Sequence, residues 1–302
     1  MRFLRQLLGG IGTHQPRGTL GTEFLAGRLD MTVVQLRSFG PQYREFDVPK
    51  RGGGHRRIAA PDRGTRDLQR LIDRRVLPRV SGHPAAFGFV RRRSMVDHAR
   101  RHSGKAVVLR MDLKDFFGTT TAQRVRSYFR GVWNDDAADL LTSLTTYRGS
   151  LPQGAPTSPA LSNLVNMRLD ARMAGFARRY GATYSRYADD ITFSLEVDDA
   201  KLVRGLIRFT KKVVGESGYE LHLRRKLHVR RRHQRQLVGG LVVNAEPRLP
   251  RERRRWLRTV EHRLATGATA TLTQQQLAGW RAYRLMVEGR PGRLDAGSAE
   301  SE

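Results

Sequence analysis

Three aspartates carry the clearest chemistry in this sequence. Asp112 closes the apolar run AVVLRMD, and Asp189 and Asp190 stand together in YADD. Carboxylates brought close together repel one another unless cations neutralise them. Oxygen donors with no Cys anywhere in the chain and no His beside them suit Mg²⁺ or Mn²⁺. Two such ions ~3.5–4 Å apart can clamp the attacking and leaving oxygens of an in-line phosphoryl transfer. Taken alone, DxxD is more often a solvated strand end, and a DD pair in a tight turn is more often turn chemistry. The Gln-Gly loop LPQGAPTSP, lying between the two acid segments, raises their weight.

The elements that must position these residues follow from periodicity. AVVLRMDLKDFF (106–117) begins as a near-continuous apolar run, as in a strand buried on both faces. Thr183 to Glu196 reads as two strands with Ala188-Asp189-Asp190 at or near the turn. If these strands are neighbours in one sheet, the three carboxylates converge. LPQGAPTSP is a loop, because two of its prolines cannot sit inside a helix. Pro159 suits a first helical turn, and Ala160 to Tyr180 then reads as one long helix. Further helices are expected between Glu23 and Phe39 with a break near Asp30, and at Thr65–Val80, Thr121–Phe129, Asp136–Tyr147 and Asp199–Ser217. Two strands about a Gly-Gly-Gly turn are expected within Tyr43–Ala60, and a pair of strands within 222–244. After Pro247 and Pro250 come two basic helices, Arg251–Leu264 and Thr273–Val287, and a disordered tail from 289.

The 302 residues carry 56 Lys plus Arg against 28 Asp plus Glu, a net charge of +28. Such a surface attracts polyanions over long range, so nucleic acid is the expected partner. Of the 56 cations 49 are Arg, whose fork of donors suits phosphate, although a GC-rich genome produces the same bias. Hydrophobic residues make up 39%, enough to exclude wholesale disorder. The lack of Cys excludes a disulfide scaffold, a thiol nucleophile and thiolate metal sites. No apolar run approaches the ~18 residues of a membrane span, and Arg5 interrupts the apolar opening. A cytoplasmic protein without a membrane partner is expected.

Four segments in order, HPAAFGF (83–89), DLKDFF (112–117), LPQGAPTSPALSN (151–163) and SRYADDITFS (185–194), carry a family resemblance. From Tyr43 to Asn244 the chain resembles the bacterial retron reverse transcriptases. The resemblance implies an α+β right-hand polymerase with fingers, palm and a helical thumb, the palm built on a small antiparallel sheet. Residues 1–30 would be an N-terminal basic arm or helix, 31–245 the fingers and palm, and 246–302 the thumb and tail. Asp112, Asp189 and Asp190 would be the catalytic acids and hold two Mg²⁺ or Mn²⁺ ions. Phe117 matches the bulky position that collides with a ribose 2′-OH, unless it is an ordinary core aromatic. Gln153 and Gly154 match the loop against the incoming nucleotide. Arg57 matches the fingers cation that grips the triphosphate, with Arg56 and Lys50 as alternatives. Lys226 matches a lysine at the leaving pyrophosphate, or contacts the nucleic-acid backbone. Gly240, Leu241 and Val243 match the hairpin under the primer end, although LVGGLVVN also reads as a plain core strand.

Two segments depart from the family pattern. His98-Ala99-Arg100-Arg101-His102 has His where the family has Asn, and Val238-Gly239-Gly240 stands in place of Val-Thr-Gly. Both regions are associated with handling the partner RNA. The His98/His102 pair lacks the third ligand that zinc would need. The implied partners are a structured non-coding RNA serving as template and primer, its DNA product, dNTPs, an effector protein and a host RNase H. Priming from an RNA 2′-OH and a role in antiphage defence belong to the same implication. Two other readings compete: a catalytically silent RNA-binding protein on a polymerase scaffold, and a related defence polymerase acting without a template. Three mutually repelling acids kept together argue against the silent scaffold.

Overall fold

The computed structural model describes residues 18–49, 53–78, 82–222 and 227–289. Residues 1–17 of the expected arm, the tail from 290, Lys50 and Lys226 lie outside the described residues. Helices α1 (Thr22–Arg28) and α2 (Val33–Ser38) lead into an antiparallel hairpin, β1 (Tyr43–Pro49) and β2 (His55–Pro61). The break between α1 and α2 comes at Asp30, with φ 53°, and a capping box of Thr32 with Gln35 restarts the chain. Helices α3 (Arg63–Arg75) and α4 (Met95–Arg100) precede β3 (Val107–Asp112). Then come α5 (Ala122–Phe129), α6 (Asp135–Thr145), α7 (Ser158–Val165) and α8 (Met167–Arg179). A hairpin of β4 (Ala182–Tyr187) and β5 (Asp190–Leu195) is followed by α9 (Ala200–Glu216). The described chain closes with β6 (His228–Arg231), β7 (Leu237–Val238), β8 (Leu241–Val242), α10 (Arg251–Ala265) and α11 (Gln274–Glu288).

The main sheet runs β4-β5-β3-β6, each neighbour antiparallel. Side chains alternate across it with period two. Val107, Leu109 and Met111 of β3 share one face with Ile191 and Phe193 of β5, and α8 and α9 bury that face. A stacked Phe176–Phe209 pair, 3.8 Å between centroids, ties α8 to α9. The opposite face carries Arg110, Asp112, Asp190, Thr192 and Ser194. One face of the sheet is therefore a core, and the other holds the polar chemistry.

Two expectations change. The single helix over Ala160–Tyr180 is two, α7 and α8, meeting at buried Asn166 with φ −94° and ψ 9°. Its side-chain amide donates to the Ser162 carbonyl and to the Tyr219 hydroxyl, both at 2.8 Å. A side chain that competes for backbone hydrogen bonds in this way interrupts a helix. The strand pair over 222–244 is three pieces. β6 joins the main sheet, while β7 and β8 form a separate hairpin. Gly239 and Gly240, with φ 57° and 78°, close that hairpin in the two-residue turn that needs left-handed backbone at both positions.

Two further cores flank the first. One gathers α1, α3, α5, α6 and α7 around Leu25, Ile72, Phe129 and Leu141. The other joins Val96, Val108, Val238 and Leu241 to Leu257 and Leu277 of the terminal helices. This last core crosses residue 246, so α10 and α11 are docked on the sheet's polar side rather than hung from it. Among the described residues no helix is long and apolar enough to cross a membrane.

Candidate active site

Strands β3 and β5 are neighbours, and their register sets Asp112 directly against Asp190. Opposed residues of an antiparallel pair share a face, with Cβ atoms ~4.5–5.5 Å apart. Asp189 precedes in the turn, where its carbonyl accepts from the Leu113 amide at 2.9 Å. The three backbones meet as the strand pattern requires, but the side chains do not form a ready cluster. Among the described residues no three Asp, Glu, His or Cys side chains are grouped as a metal would need.

Arg110, two residues before Asp112 and on the same face, holds one of the three carboxylates. Its Nε donates to both oxygens of Asp190, at 3.3 and 3.1 Å, and its Nη2 bonds the same carboxylate. Its Nη1 donates to the Leu237 carbonyl at 3.3 Å, tying the acid to the β7–β8 hairpin. Two opposed carboxylates repel, and Arg110 relieves that repulsion by taking one of them. Burial pushes the Asp190 carboxyl up from its ordinary value, Arg110 pulls it down, and Asp189 adds to the rise. Carboxylate oxygens are the hard donors that a divalent cation prefers, and Asp190 offers its pair only by exchanging Arg110.

The loop that follows α6 packs on the fingers-side hairpin. The Gln153 carbonyl accepts from the Ala59 amide at 3.0 Å. Gly154 has φ 132°, and a Cβ there would stand 2.9 Å from the Ala59 carbonyl oxygen, so no larger residue fits unshifted. Arg57 is exposed two residues earlier on β2, 3.7 Å from Asp47, and shares its face with Ala59, whereas Arg56 faces the other way. Phe117 is half-buried, touches two of the cores, and lies 5.9 Å from the exposed ring of Phe89. It is at once anchored and open, so packing and gating remain compatible. Gly240 is exposed at the hairpin turn, but Leu241 and Val243 are 1% and 0% exposed. Their side chains serve the third core, which leaves the hairpin backbone as the part a primer could touch.

Sequence reasoning missed Arg110 and Gln236. An Arg inside AVVLRMD, spaced two from the acid, was the available signal for the first. Gln236 is fully buried, and its amide donates to the carbonyls of Lys105 at 3.0 Å and Arg230 at 3.1 Å, which seats the hairpin on the sheet. The histidines of α4 and its C-terminal turn are structural. His102 lies between Ser194 and Ser185 hydroxyls at 2.7 and 2.6 Å. His98 is buried beside Phe87 and Tyr187 with neither ring nitrogen bonded. Burial, helped by Arg110 and Arg101, lowers its pKa to about 3. An unfolded chain protonates this ring near 6.5, so the stability it contributes is complete above that pH and drains away as pH falls towards 3. Each such ring removes up to ~1.4 kcal/mol per pH unit in that window. Urea midpoints should therefore fall steadily from pH 7 to pH 4, and His98→Asn should flatten the slope. A slope untouched by that substitution would show the ring to be solvated.

Comparison with known proteins accords with this geometry. The family described as reverse transcriptase (RNA-dependent DNA polymerase) matches residues 48–239. The retron Mx65 reverse transcriptase of Myxococcus xanthus is 39% identical over 292 residues, covering 88% of this chain and 68% of that protein. The retron Mx162 reverse transcriptase of the same organism is 35% identical over 314 residues, covering 90% and 64%. The chain thus spans about two thirds of the length of these relatives. A structure of telomerase from Candida albicans in complex with the TWJ fragment of telomeric RNA aligns with TM-score 0.50 at 10% identity, over 72% of this chain and 48% of that one. That likeness shows a shared right-hand polymerase fold. The sequence matches run through the strands that bear all three aspartates, and by them the chain belongs to the retron reverse transcriptases, RNA-directed DNA polymerases.

Proposed function

We propose that this chain copies a structured partner RNA into DNA, adding dNTPs to a primer hydroxyl that is either a DNA 3′-OH or an RNA 2′-OH. The observation that carries the proposal is the register of Asp112 against Asp190, with Asp189 in the adjoining turn. Asp112 and Asp189, joined by Asp190 when Arg110 releases it, would hold two Mg²⁺ or Mn²⁺ ions. Bound there, such ions lower the pKa of the attacking hydroxyl and neutralise the departing pyrophosphate. Arg57 grips the triphosphate, Gln153 and Gly154 support the nucleotide, and Phe117 screens its 2′ position. The backbone around Gly240 supports the primer end, with Leu241 and Val243 anchoring it from below. Lys226 assists the pyrophosphate. Residues 246–302 act as the thumb on the duplex.

Kinship with retron enzymes supports the remaining parts of the reading: a non-coding RNA as template and primer, an effector protein, host RNase H for template removal, cytoplasmic location and antiphage defence. The direct test is incorporation of dNTPs on a primed RNA template with and without chelator. Divalent-dependent, template-copied product is expected. Tight RNA binding without product would favour the silent scaffold, and product lacking template sequence would favour the template-free polymerase.

The charge of +28 also makes a prediction about RNA choice. Affinity for any RNA should fall steeply with salt as phosphate contacts release counterions. A dedicated RNA should keep a residual affinity at high salt, resting on shape and 2′-hydroxyl contacts. The measurement is a salt titration of RNA encoded beside the gene against a scrambled RNA of equal length. Deleting the thumb would expose the third core, so the cleaner variant replaces the exposed Arg251, Arg255 and Arg258 of α10 with Ala. We expect a high-salt gap that this variant closes. Parallel curves in the wild type would mean a surface with no preferred RNA.

A further inference from the structure

The four segments that mark the family meet at one residue. Arg186, in SRYADD, is wholly buried and ion-paired to equally buried Asp170 of α8. Its Nε donates to Asp170 Oδ1 at 2.8 Å, and its Nη2 to Asp170 Oδ2 at 2.6 Å and to Asn163 Oδ1 at 3.1 Å. Asn163, from LPQGAPTSPALSN, in turn donates its amide to the Gly88 carbonyl at 2.8 Å. The Arg186 guanidinium lies 5.5 Å from the centre of the Phe116 ring of DLKDFF. Its backbone bonds HPAAFGF: the Arg186 amide donates to the Ala85 carbonyl at 2.8 Å, and its carbonyl accepts from Phe87 at 2.7 Å. The remaining nitrogen, Nη1, reaches forward and donates to the Ala188 carbonyl at 2.9 Å.

Stability alone does not account for this arrangement. Desolvating two ions costs several kcal/mol, and a well-packed apolar pair of the same volume is often as stable. What an apolar pair could not do is hold the Ala188 carbonyl. Ala188 has φ 55°, a left-handed conformation that L residues disfavour. Gly88 packs against the same peptide so closely that a Cβ there would stand 2.6 Å from the Ala188 nitrogen. The turn is thus fixed from two sides, by Gly88 against its amide and by Arg186 at its carbonyl. The next residue is Asp189.

We propose that Arg186 is a positioning residue for polymerisation: its bond to the Ala188 carbonyl, braced by Asp170 and Asn163, sets the direction in which the turn presents Asp189. The inference rests on the polymerase reading above. Arg186 is wholly buried and acts on the turn through the Ala188 carbonyl.

Arg186→Lys keeps the charge opposite Asp170, but one ammonium cannot span Asp170, Asn163 and Ala188 together. The variant leaves buried acceptors unpaired, so it should fold but melt below the wild type, with unchanged affinity for an RNA–DNA duplex and little change in dNTP KM. Its kcat should fall ~100-fold, the loss that follows from misplacing a reacting group by ~1 Å. Hydrogen exchange in the peptide 185–194 should quicken in the same variant, a readout that needs no polymerisation. Should Arg186→Lys fail to fold, Arg186→Met combined with Asp170→Leu removes both charges and is measured in the same way. Wild-type kcat in either folded variant overturns the proposal, as does a slow variant whose turn exchanges like the wild type. A wild-type protein that makes no DNA would instead sink the polymerase reading and leave the exchange result standing by itself.

Discussion

Replacing Asp189 and Asp190 together with Asn should reduce dNTP incorporation by at least ~10³-fold, about 4 kcal/mol of transition-state stabilisation. The carboxylates that would hold the ions lose their charge, while the shape of the turn is kept. The two single variants should differ. Asp190 is held by Arg110, so Asp190→Asn removes a bidentate partner from an Arg whose side chain is only 27% exposed, and its first effect should be a lower melting temperature. Asp189→Asn should remove most of the activity while the Arg110–Asp190 pairing stays intact. Primer extension beside thermal unfolding and RNA affinity separates these effects. A folded double variant that extends primers like the wild type would remove the two-ion mechanism altogether.

The second large effect concerns sugar choice. Phe117→Ala should raise the relative use of rNTPs by roughly 10- to 100-fold, in line with the discrimination that a change in pocket shape provides. The ring is half-buried between two cores and next to Phe89, so the truncation also costs stability, up to the ~3–5 kcal/mol of a full Phe→Ala cavity. Phe117→Leu retains more of the packing and should show a smaller shift in the same direction. Competition between a dNTP and its rNTP on one template reads the ratio directly. Unchanged discrimination in folded protein would make Phe117 a core residue and nothing more.

The acids and their strands were legible because apolar patterning is a local signal. The near-continuous apolar run before Asp112 marked one strand, and the apolar residues at every second position of DITFSL, after a turn, marked another, which put Asp112 and Asp190 at strand ends. The break at Asn166 was not legible, since it depends on Tyr219, whose hydroxyl comes from the segment just after α9. The separation of β6 from β7 was hidden for a similar reason: Gln236, between them, is seated by carbonyls of Lys105 and Ala106, about 130 residues earlier. Leu241 and Val243 read as part of the primer hairpin from family resemblance and as core from hydropathy, and both side chains are buried. Arg186 escaped notice because its meaning lies in partners from three other segments. A charged residue in a strand of mixed polarity looks solvated until those partners are folded around it.

The third core has a consequence for how such enzymes recombine. A chimera cut at residue 246 would part Leu257 and Leu277 from Val96, Val108 and Val238, leaving both halves with an exposed apolar face. The unit that can be exchanged between relatives is larger than the terminal helices. It includes α4 and the β7–β8 hairpin, and a donor thumb must also accept the residue at 108, in the strand that ends at Asp112. Transplanting the C-terminal helices alone therefore disturbs β3, whereas a cassette that carries α4, the hairpin and both helices leaves Val108 as the main seam to be matched.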